Sequence, residues 1–199
     1  MRIAITGPAG SGKTTLAAEL ARVAGLRHVE IDALHHGPNW ESCGAEVLRQ
    51  RIAAATEGDG WVTDGTYHRM IGNLVVDRAD VLVWLDLPVP RVMWRLLRRT
   101  HVRHRDKVVL WNGNVEPGWL ESSRYLLWPA LRAAFRNRRE FPVRYADVNV
   151  QRLRSDDDVR EFVRSFGGVT FVQSSQAAAT MSGSSNASER QKVPPSVET

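Results

Sequence analysis

Arg2-Ile-Ala-Ile-Thr6 is a short apolar run, and Gly7-Pro-Ala-Gly-Ser-Gly-Lys-Thr14 follows it directly. After the glycines come apolar residues at Leu16, Ala17, Leu20, Ala21 and Ala24, the spacing of one helix face, closed by Gly25. The order is therefore strand, glycine-rich turn, helix. The turn fits G-x-x-x-x-G-K-[ST], in which backbone N–H groups curl inward around phosphate oxygens and the helix N-terminus adds its partial positive charge. Gly7, Ala9, Gly10, Ser11, Gly12, Lys13, Thr14 and Thr15 are the expected binding residues. Lys13 is placed to reach the β- and γ-phosphates, and Thr14 to offer a hydroxyl to Mg²⁺. Such a loop predicts a nucleoside triphosphate, ATP by default, and leaves the reaction open.

Outward from this loop, strand and helix signals alternate. Arg27 to Asp32 reads as a second strand and Ala45 to Glu57 as a helix. Trp61-Val-Thr63 reads as a short strand, and Tyr67 to Val76 as a short helix. Ala79 to Leu87 is a continuous apolar run suited to a central strand buried on both faces, and Pro88 and Pro90 open a helix to about Arg103. Trp119 to Glu140 predicts a helix with Leu120, Leu127, Leu131 and Phe135 inward and a kink or break at Pro129. Val148 to Leu153 reads as a last strand, and Ser155 as the N-cap of a last helix with Asp156, Asp157 and Asp158 in its first turn. This alternation predicts an α/β fold, a five-stranded parallel sheet with helices on both faces. Ligands then gather at the carboxyl ends of the strands, which puts the glycine loop, Asp32, Asp64 and Asp86 on one rim.

A length of 199 residues suits one domain and a tail. The expected domain is 1–166, with a polar, glycine-punctuated insertion at about 101–118 that reads as a mobile lid. The segment 167–199 holds 7 Ser, 4 Ala, 3 Thr and 3 Gly with one aromatic residue, a composition that predicts a disordered tail. One cysteine, Cys43, excludes a disulfide framework and a cysteine-rich zinc site. No stretch reaches the roughly 18 apolar residues of a membrane span, and the first residues do not read as a signal peptide. The default expectation is a cytoplasmic protein, monomer or homodimer.

Charge is uneven. Residues 1–90 carry 8 basic and 11 acidic side chains; residues 91–166 carry 17 and 9. A basic second half suits either a phosphorylated small molecule or nucleic acid. The first reading makes the chain a kinase acting on a small-molecule or nucleotide acceptor. The second makes it a P-loop ATPase or regulator that contacts nucleic acid, which is not favoured, since no nucleic-acid-reading motif accompanies the charge. Only 3 of the 27 basic residues are lysine (Lys13, Lys107, Lys192), so Lys13 in the loop stands out.

Among the rim carboxylates, Asp64 suits Mg²⁺ or an Asx-turn before Gly65. Asp32 suits an acceptor's hydroxyl proton, acceptor binding or a helix cap. Asp86 suits a turn or cap. Arg95, Arg99 and Arg103 recur at i, i+4 and i+8, one stripe leading into the insertion. Phosphoryl transfer is mostly positioning and charge neutralisation, which arginines on one face can supply. Lys13, Asp32, Arg95, Arg99 and Arg103 are thus the candidate catalytic residues. Trp40, Trp111, Trp119 and Trp128 either pack or line an acceptor pocket.

With these residues in hand the chain resembles the adenylate-kinase-like P-loop kinases, and more narrowly the bacterial topology-modulation or adenylate-kinase-related proteins. The likeness rests on Ile5–Thr14, Ile31-Asp-Ala-Leu-His35, Trp61-Val-Thr-Asp-Gly-Thr-Tyr67, Ala79–Pro88 and Leu110-Trp-Asn-Gly-Asn-Val-Glu116, and spans about Met1 to Phe166. It implies a P-loop NTPase three-layer α/β/α fold with sheet order 2-3-1-4-5, a lid, and a phosphate acceptor. It implies Arg95 near the base and Arg99 on phosphates, with Asp64-Gly65 in the acceptor loop. Where nucleotide kinases continue with a Pro-Arg pair that grips a monophosphate, this chain has Thr66-Tyr67-His68-Arg69.

Overall fold

The computed structural model describes residues 1–116 and 119–166. Its five strands are β1 (Arg2–Thr6), β2 (Arg27–Val29), β3 (Trp61–Thr63), β4 (Val81–Leu85) and β5 (Val150–Leu153). They form one sheet in the order β2-β3-β1-β4-β5, with every neighbour parallel. This is the expected topology, and β1 lies at its centre with the glycine loop at its carboxyl end.

Period-two alternation sorts the strand side chains into two cores. Ile3, Ile5, Val62, Val81, Val83 and Leu85 point to one face, under Leu16, Ala17 and Leu20 of helix α1 (Lys13–Ala24) and Val159, Phe162, Val163 and Phe166 of the last helix, 156–166. Ala4, Trp61, Leu82 and Trp84 point to the other. There they meet α2 (Ile31–His35), α3 (Ala45–Ala55), α4 (His68–Ile71), α5 (Leu74–Arg78) and α7 (Trp119–Arg144) through Ile31, Leu48, Ile52, Ile71, Val75 and Phe141. Each fully buried Leu, Ile or Val contributes about 1.5–3 kcal/mol. The remaining long helix, α6 (Val89–Arg105), packs against α7.

Four expectations need correction. The second strand stops at Val29, because β3 offers only Trp61–Thr63 as partners; the chain then turns, and Asp32 sits in the first turn of α2. The helix expected over Tyr67 to Val76 is two, α4 and α5, separated where Gly72 takes φ 66°. Helix α7 runs as one element through Pro129 and Pro142, and its buried stripe is Ala130, Ala134, Asn137 and Phe141, continued by Tyr145 just past its end, so Phe135 faces out with 55% exposure. Asp86 is neither turn nor cap: it anchors Arg138 (2.7 Å) and Arg152 (2.6 Å), and Arg152 lies over the Trp84 ring at 4.1 Å. Ser155 and Asp158 do form the expected helix start, each bonding the other's backbone N–H.

The expected insertion begins as the last turn of α6. Beyond it, Val109 and Val115 pair as an antiparallel bridge around a tight turn, Trp111–Gly113. This hairpin rests on the loop 36–40: Asn114 Nδ2 donates to Gly37 O (2.8 Å), Trp40 N to Asn114 Oδ1 (2.9 Å) and Trp40 Nε1 to Val115 O (3.0 Å). Residues 117–118, the side chains of Trp119 and Leu120, and the expected tail 167–199 lie outside the described residues. Among the described residues no helix is long and apolar enough to cross a membrane.

Candidate functional site

The glycine loop joins β1 to α1. Gly10 takes φ 83° and Gly12 φ 97°, conformations that L side chains rarely adopt. A Cβ on Gly10 would stand 2.6 Å from Val92 O and 2.9 Å from Leu96 Cβ, so the loop lies directly on α6. Gly12 precedes α1 and leaves that helix start without a side-chain cap. Its free N–H groups are what an anion would take. Ser11 is buried, and its Oγ has no partner among the described residues. Lys13 Nζ rests on Pro8 O at 3.1 Å. Burial pulls its ammonium below the ordinary lysine value, Asp32 and Asp64 act upward, and Arg99 acts downward.

Thr14 Oγ1 donates to Asp64 Oδ2 at 2.7 Å. Asp64, at the end of β3, is 5% exposed and also accepts Ile31 N–H (3.2 Å). His28 Nε2 stands 3.8 Å away, an electrostatic neighbour beyond hydrogen-bond reach. Burial alone would raise the Asp64 pKa, but His28, Thr14 and Ile31 together hold it below the usual carboxylate range. Asp64 is therefore ionised beside the Thr14 hydroxyl. Among the described residues no cluster of three or more His, Cys, Asp or Glu could hold a metal. A cation here has one carboxylate, one hydroxyl and whatever its ligand brings, which suits Mg²⁺, an ion usually bound through one or two carboxylates and substrate phosphates.

Two cavities flank the loop. The larger, about 810 Å³, is lined by Ala9, Gly10, Gly12, Lys13, Thr14 and Thr15 on one side. Opposite stand Asp32, Arg99, Arg103, Trp40, Trp111 and Glu116. The smaller, about 740 Å³, has Ser11, Thr15, Leu87, Asp156, Val159 and Arg160 on its wall. Arg95 lines both. Gly7 lines neither and sits behind the loop against Leu85.

The arginine stripe converges on the larger cavity, but its members differ. Arg95 is held by Asp156 (3.0 Å), which also takes Arg91 (2.9 Å). Arg103 pairs with Glu116 at 2.8 Å. Arg99 Nε is buried without a partner among the described residues. Burial and Arg103 lower the Arg99 pKa from its ordinary value, while Glu116 and Asp32 raise it. It remains a cation in search of an anion.

Sequence reasoning missed Tyr67 and Glu116. The Tyr67 hydroxyl donates to Asp32 Oδ1, and burial first, then Asp32, raises the phenol pKa. Tyr67 reaches this position from a left-handed backbone (φ 43°), for which the sequence shows no signal. Glu116 was legible only as the last residue of the quoted Leu110–Glu116 segment. Of the four tryptophans singled out, Trp40 and Trp111 line the cavity, and Trp128 is exposed beneath Arg132. His36 is on the cavity wall, and His35 is buried behind it.

A model of the ATPase family associated with various cellular activities (AAA) matches residues 3–63, from β1 to β3 and just under a third of the chain. No curated protein matches the sequence. Several solved structures are similar in fold. A shikimate kinase from Bacteroides thetaiotaomicron is 18% identical, with 85% of this chain and 98% of that one covered, at TM-score 0.50. A gluconokinase from Sinorhizobium meliloti 1021 is 19% identical over 88% and 96%, at 0.49. A deoxyadenosine kinase from M. mycoides with bound dATP is 13% identical over 83% and 98%, also at 0.49. At such identity the likeness concerns the fold, which is that of a P-loop NTPase.

Proposed function

We propose that the chain is an ATP-dependent phosphotransferase, a P-loop kinase that moves the γ-phosphate of ATP to a small acceptor. One observation carries this reading. The Thr14–Asp64 pair, the Lys13 ammonium and Arg99, whose buried Nε has no partner among the described residues, open onto one cavity with a carboxylate, Asp32, in the same wall. A fold shared with a shikimate kinase agrees with it.

The loop N–H groups and Lys13 would hold the triphosphate, and Lys13 would leave Pro8 O for it. Thr14 and Asp64 would hold Mg²⁺, which when bound neutralises phosphate charge. The smaller cavity, between Arg95 and the start of the last helix, would take the base. Arg99 would face the transferring group, where developing negative charge gives it the partner it lacks. The hairpin 109–115 and Arg103–Glu116 close the cavity over the acceptor, serving as the lid. Residues 1–166 would act as the catalytic domain.

The test is Lys13→Ala. Its expected result is at least tenfold weaker ATP binding by titration calorimetry and no turnover, because the charge-assisted contact is lost. Unchanged affinity would overturn the reading.

A further inference from the structure

The larger cavity has a phosphate end and an acceptor end, and its charges divide unevenly between them. Its cations are Lys13, Arg95, Arg99 and Arg103; its anions are Asp32, Asp64 and Glu116. Arg95 is engaged by Asp156, Arg103 by Glu116, and Asp64 by Thr14 and Ile31. Lys13 and Arg99 are left to meet the donor's phosphates. What remains to meet the acceptor is the Asp32 carboxylate, with Glu116 Oε2 and His36 Nδ1, buried atoms that have no partner among the described residues.

That carboxylate is deliberately placed. Tyr67 gives its hydroxyl to Asp32 Oδ1 and does so from a left-handed backbone, a conformation that costs a non-glycine residue energy and persists where the surroundings enforce it. One Asp32 oxygen is thereby occupied and one remains. Tyr67 belongs to the Thr66-Tyr67-His68-Arg69 segment, and Arg69 is exposed and off the cavity wall. Among the described residues, then, the acceptor end has no unpaired cation to hold a phosphate or carboxylate that the acceptor brings with it.

Its walls also carry flat rings. Trp40 and Trp111 both line the cavity, and both ring N–H groups are already used, on Val115 O (3.0 Å) and Glu30 Oε2 (2.6 Å). They offer ring surface and no free donor. His36 stands edge-on to Trp40 with centroids 5.4 Å apart, and Leu126 adds an apolar contact. Such surfaces favour a planar ring.

We propose that the acceptor is an uncharged alcohol carried on a flat ring, the chemistry of a nucleoside, with its ring between Trp40 and Trp111 and its hydroxyl on Asp32. This rests on the kinase reading. In the step, the hydroxyl oxygen forms a bond to the γ-phosphorus. The bond from that phosphorus to the β,γ-bridging oxygen breaks, and its electron pair leaves on ADP. The hydroxyl proton passes to the free oxygen of Asp32. ATP and the alcohol thus give ADP, the phosphate ester and one proton. Tyr67 is a positioning residue that holds the carboxylate.

The experiment measures ADP release by the full-length protein with ATP and Mg²⁺. The acceptors are adenosine, deoxyadenosine, guanosine, cytidine and thymidine, their 5′-monophosphates, and the acids shikimate and gluconate. The expected result is at least tenfold stimulation by one or more nucleosides. The matching monophosphate should be at least tenfold poorer in kcat/KM. Trp111→Ala should raise KM for the nucleoside severalfold with KM for ATP unchanged. Asp32→Asn should lower kcat at least a hundredfold while ATP binding by calorimetry stays as in the wild type. Tyr67→Phe should move the acid limb of the kcat–pH profile, which a merely structural tyrosine would leave in place. Preference for a monophosphate or an acid overturns the proposal and leaves the kinase reading standing. ATP binding with no nucleoside stimulation also overturns it. Failure to bind ATP removes the kinase reading itself, and this one with it.

Discussion

Arg99 sits where function and stability should oppose each other. Its Nε is buried with no partner among the described residues, Arg103 repels it, and Asp32 and Glu116 attract it only partly. A buried polar group left unsatisfied costs about 1–3 kcal/mol. Arg99→Met keeps the apolar stem that packs the wall and deletes the charge. Losing the attraction to Asp32 and Glu116 offsets part of the relief, so the expected net gain for the free protein is about 1 kcal/mol. For a domain of this size that raises Tm by about 2–4 °C. On the proposed reading the same substitution removes the cation that would meet the transferring phosphoryl group. An arginine in that role is worth about 10³ or more in rate, near 4 kcal/mol at about 1.4 kcal/mol per decade. ADP release with the best acceptor should therefore lose kcat about a thousandfold, with KM for ATP little changed. Arg99→Lys should recover only part, since a point charge does not reproduce the planar fork. A Tm that falls by 2 °C or more would show Arg99 to be a structural cation. A kcat within twofold of wild type would show that it never meets the phosphates.

Gly10→Ala forces a Cβ against Val92 O and a strained φ, so we expect a loss of about 1–3 kcal/mol by urea denaturation together with weaker ATP binding. Asp86→Ala leaves Arg138 and Arg152 without their carboxylate; Tm should fall by several degrees, from a loss of about 2 kcal/mol, while kcat holds. Burial, with the charge of His36, holds the His35 pKa below the ordinary histidine value against the upward pull of Asp32. The unfolded chain therefore takes up that proton first as pH falls. Stability present above pH about 6.5 should decline as pH drops from there towards the folded-state pKa, and His35→Gln should flatten that part of the Tm–pH curve.

The strands and the loop were legible because both rest on local patterns, whereas the sheet order came only with the family resemblance. The Gly7–Thr14 spacing and the apolar runs of β1 and β4 each need only their own residues to be read. The Arg95–Arg99–Arg103 stripe was legible for the same reason, since i+4 spacing on one helix aims three side chains together. Their partners were not. Asp156 was read as a helix-dipole carboxylate because Asp157 and Asp158 beside it hide which of the three faces a neighbour. Glu116 and Tyr67 act across the fold, 13 residues from Arg103 and 35 from Asp32. No periodicity encodes such pairs. Phe135 was placed inward by its apolar side chain, whereas the buried stripe of α7 opens with Ala130, Ala134 and Asn137, which hydrophobicity alone ranks low.

Asn39 and Trp40 in one loop and Asn112 in the other all hold left-handed backbones, which neither loop would favour alone. Each is compensated by bonds to the other: Asn112 Nδ2 to His36 O, Asn114 to Gly37 O and to Trp40 N, and Trp40 Nε1 to Val115 O. Two segments that are unfavourable apart and bonded together behave as one cooperative unit. The clasp should form and melt as a whole, with its amides exchanging hydrogen at one shared rate, faster than those of β1. Because Trp40 and Trp111 ride on opposite halves, neither wall persists when the other is lost. On the proposed reading, warming should thus release an acceptor well below the temperature at which the sheet unfolds, while the phosphate loop, held between β1 and α6, would still grip a nucleotide.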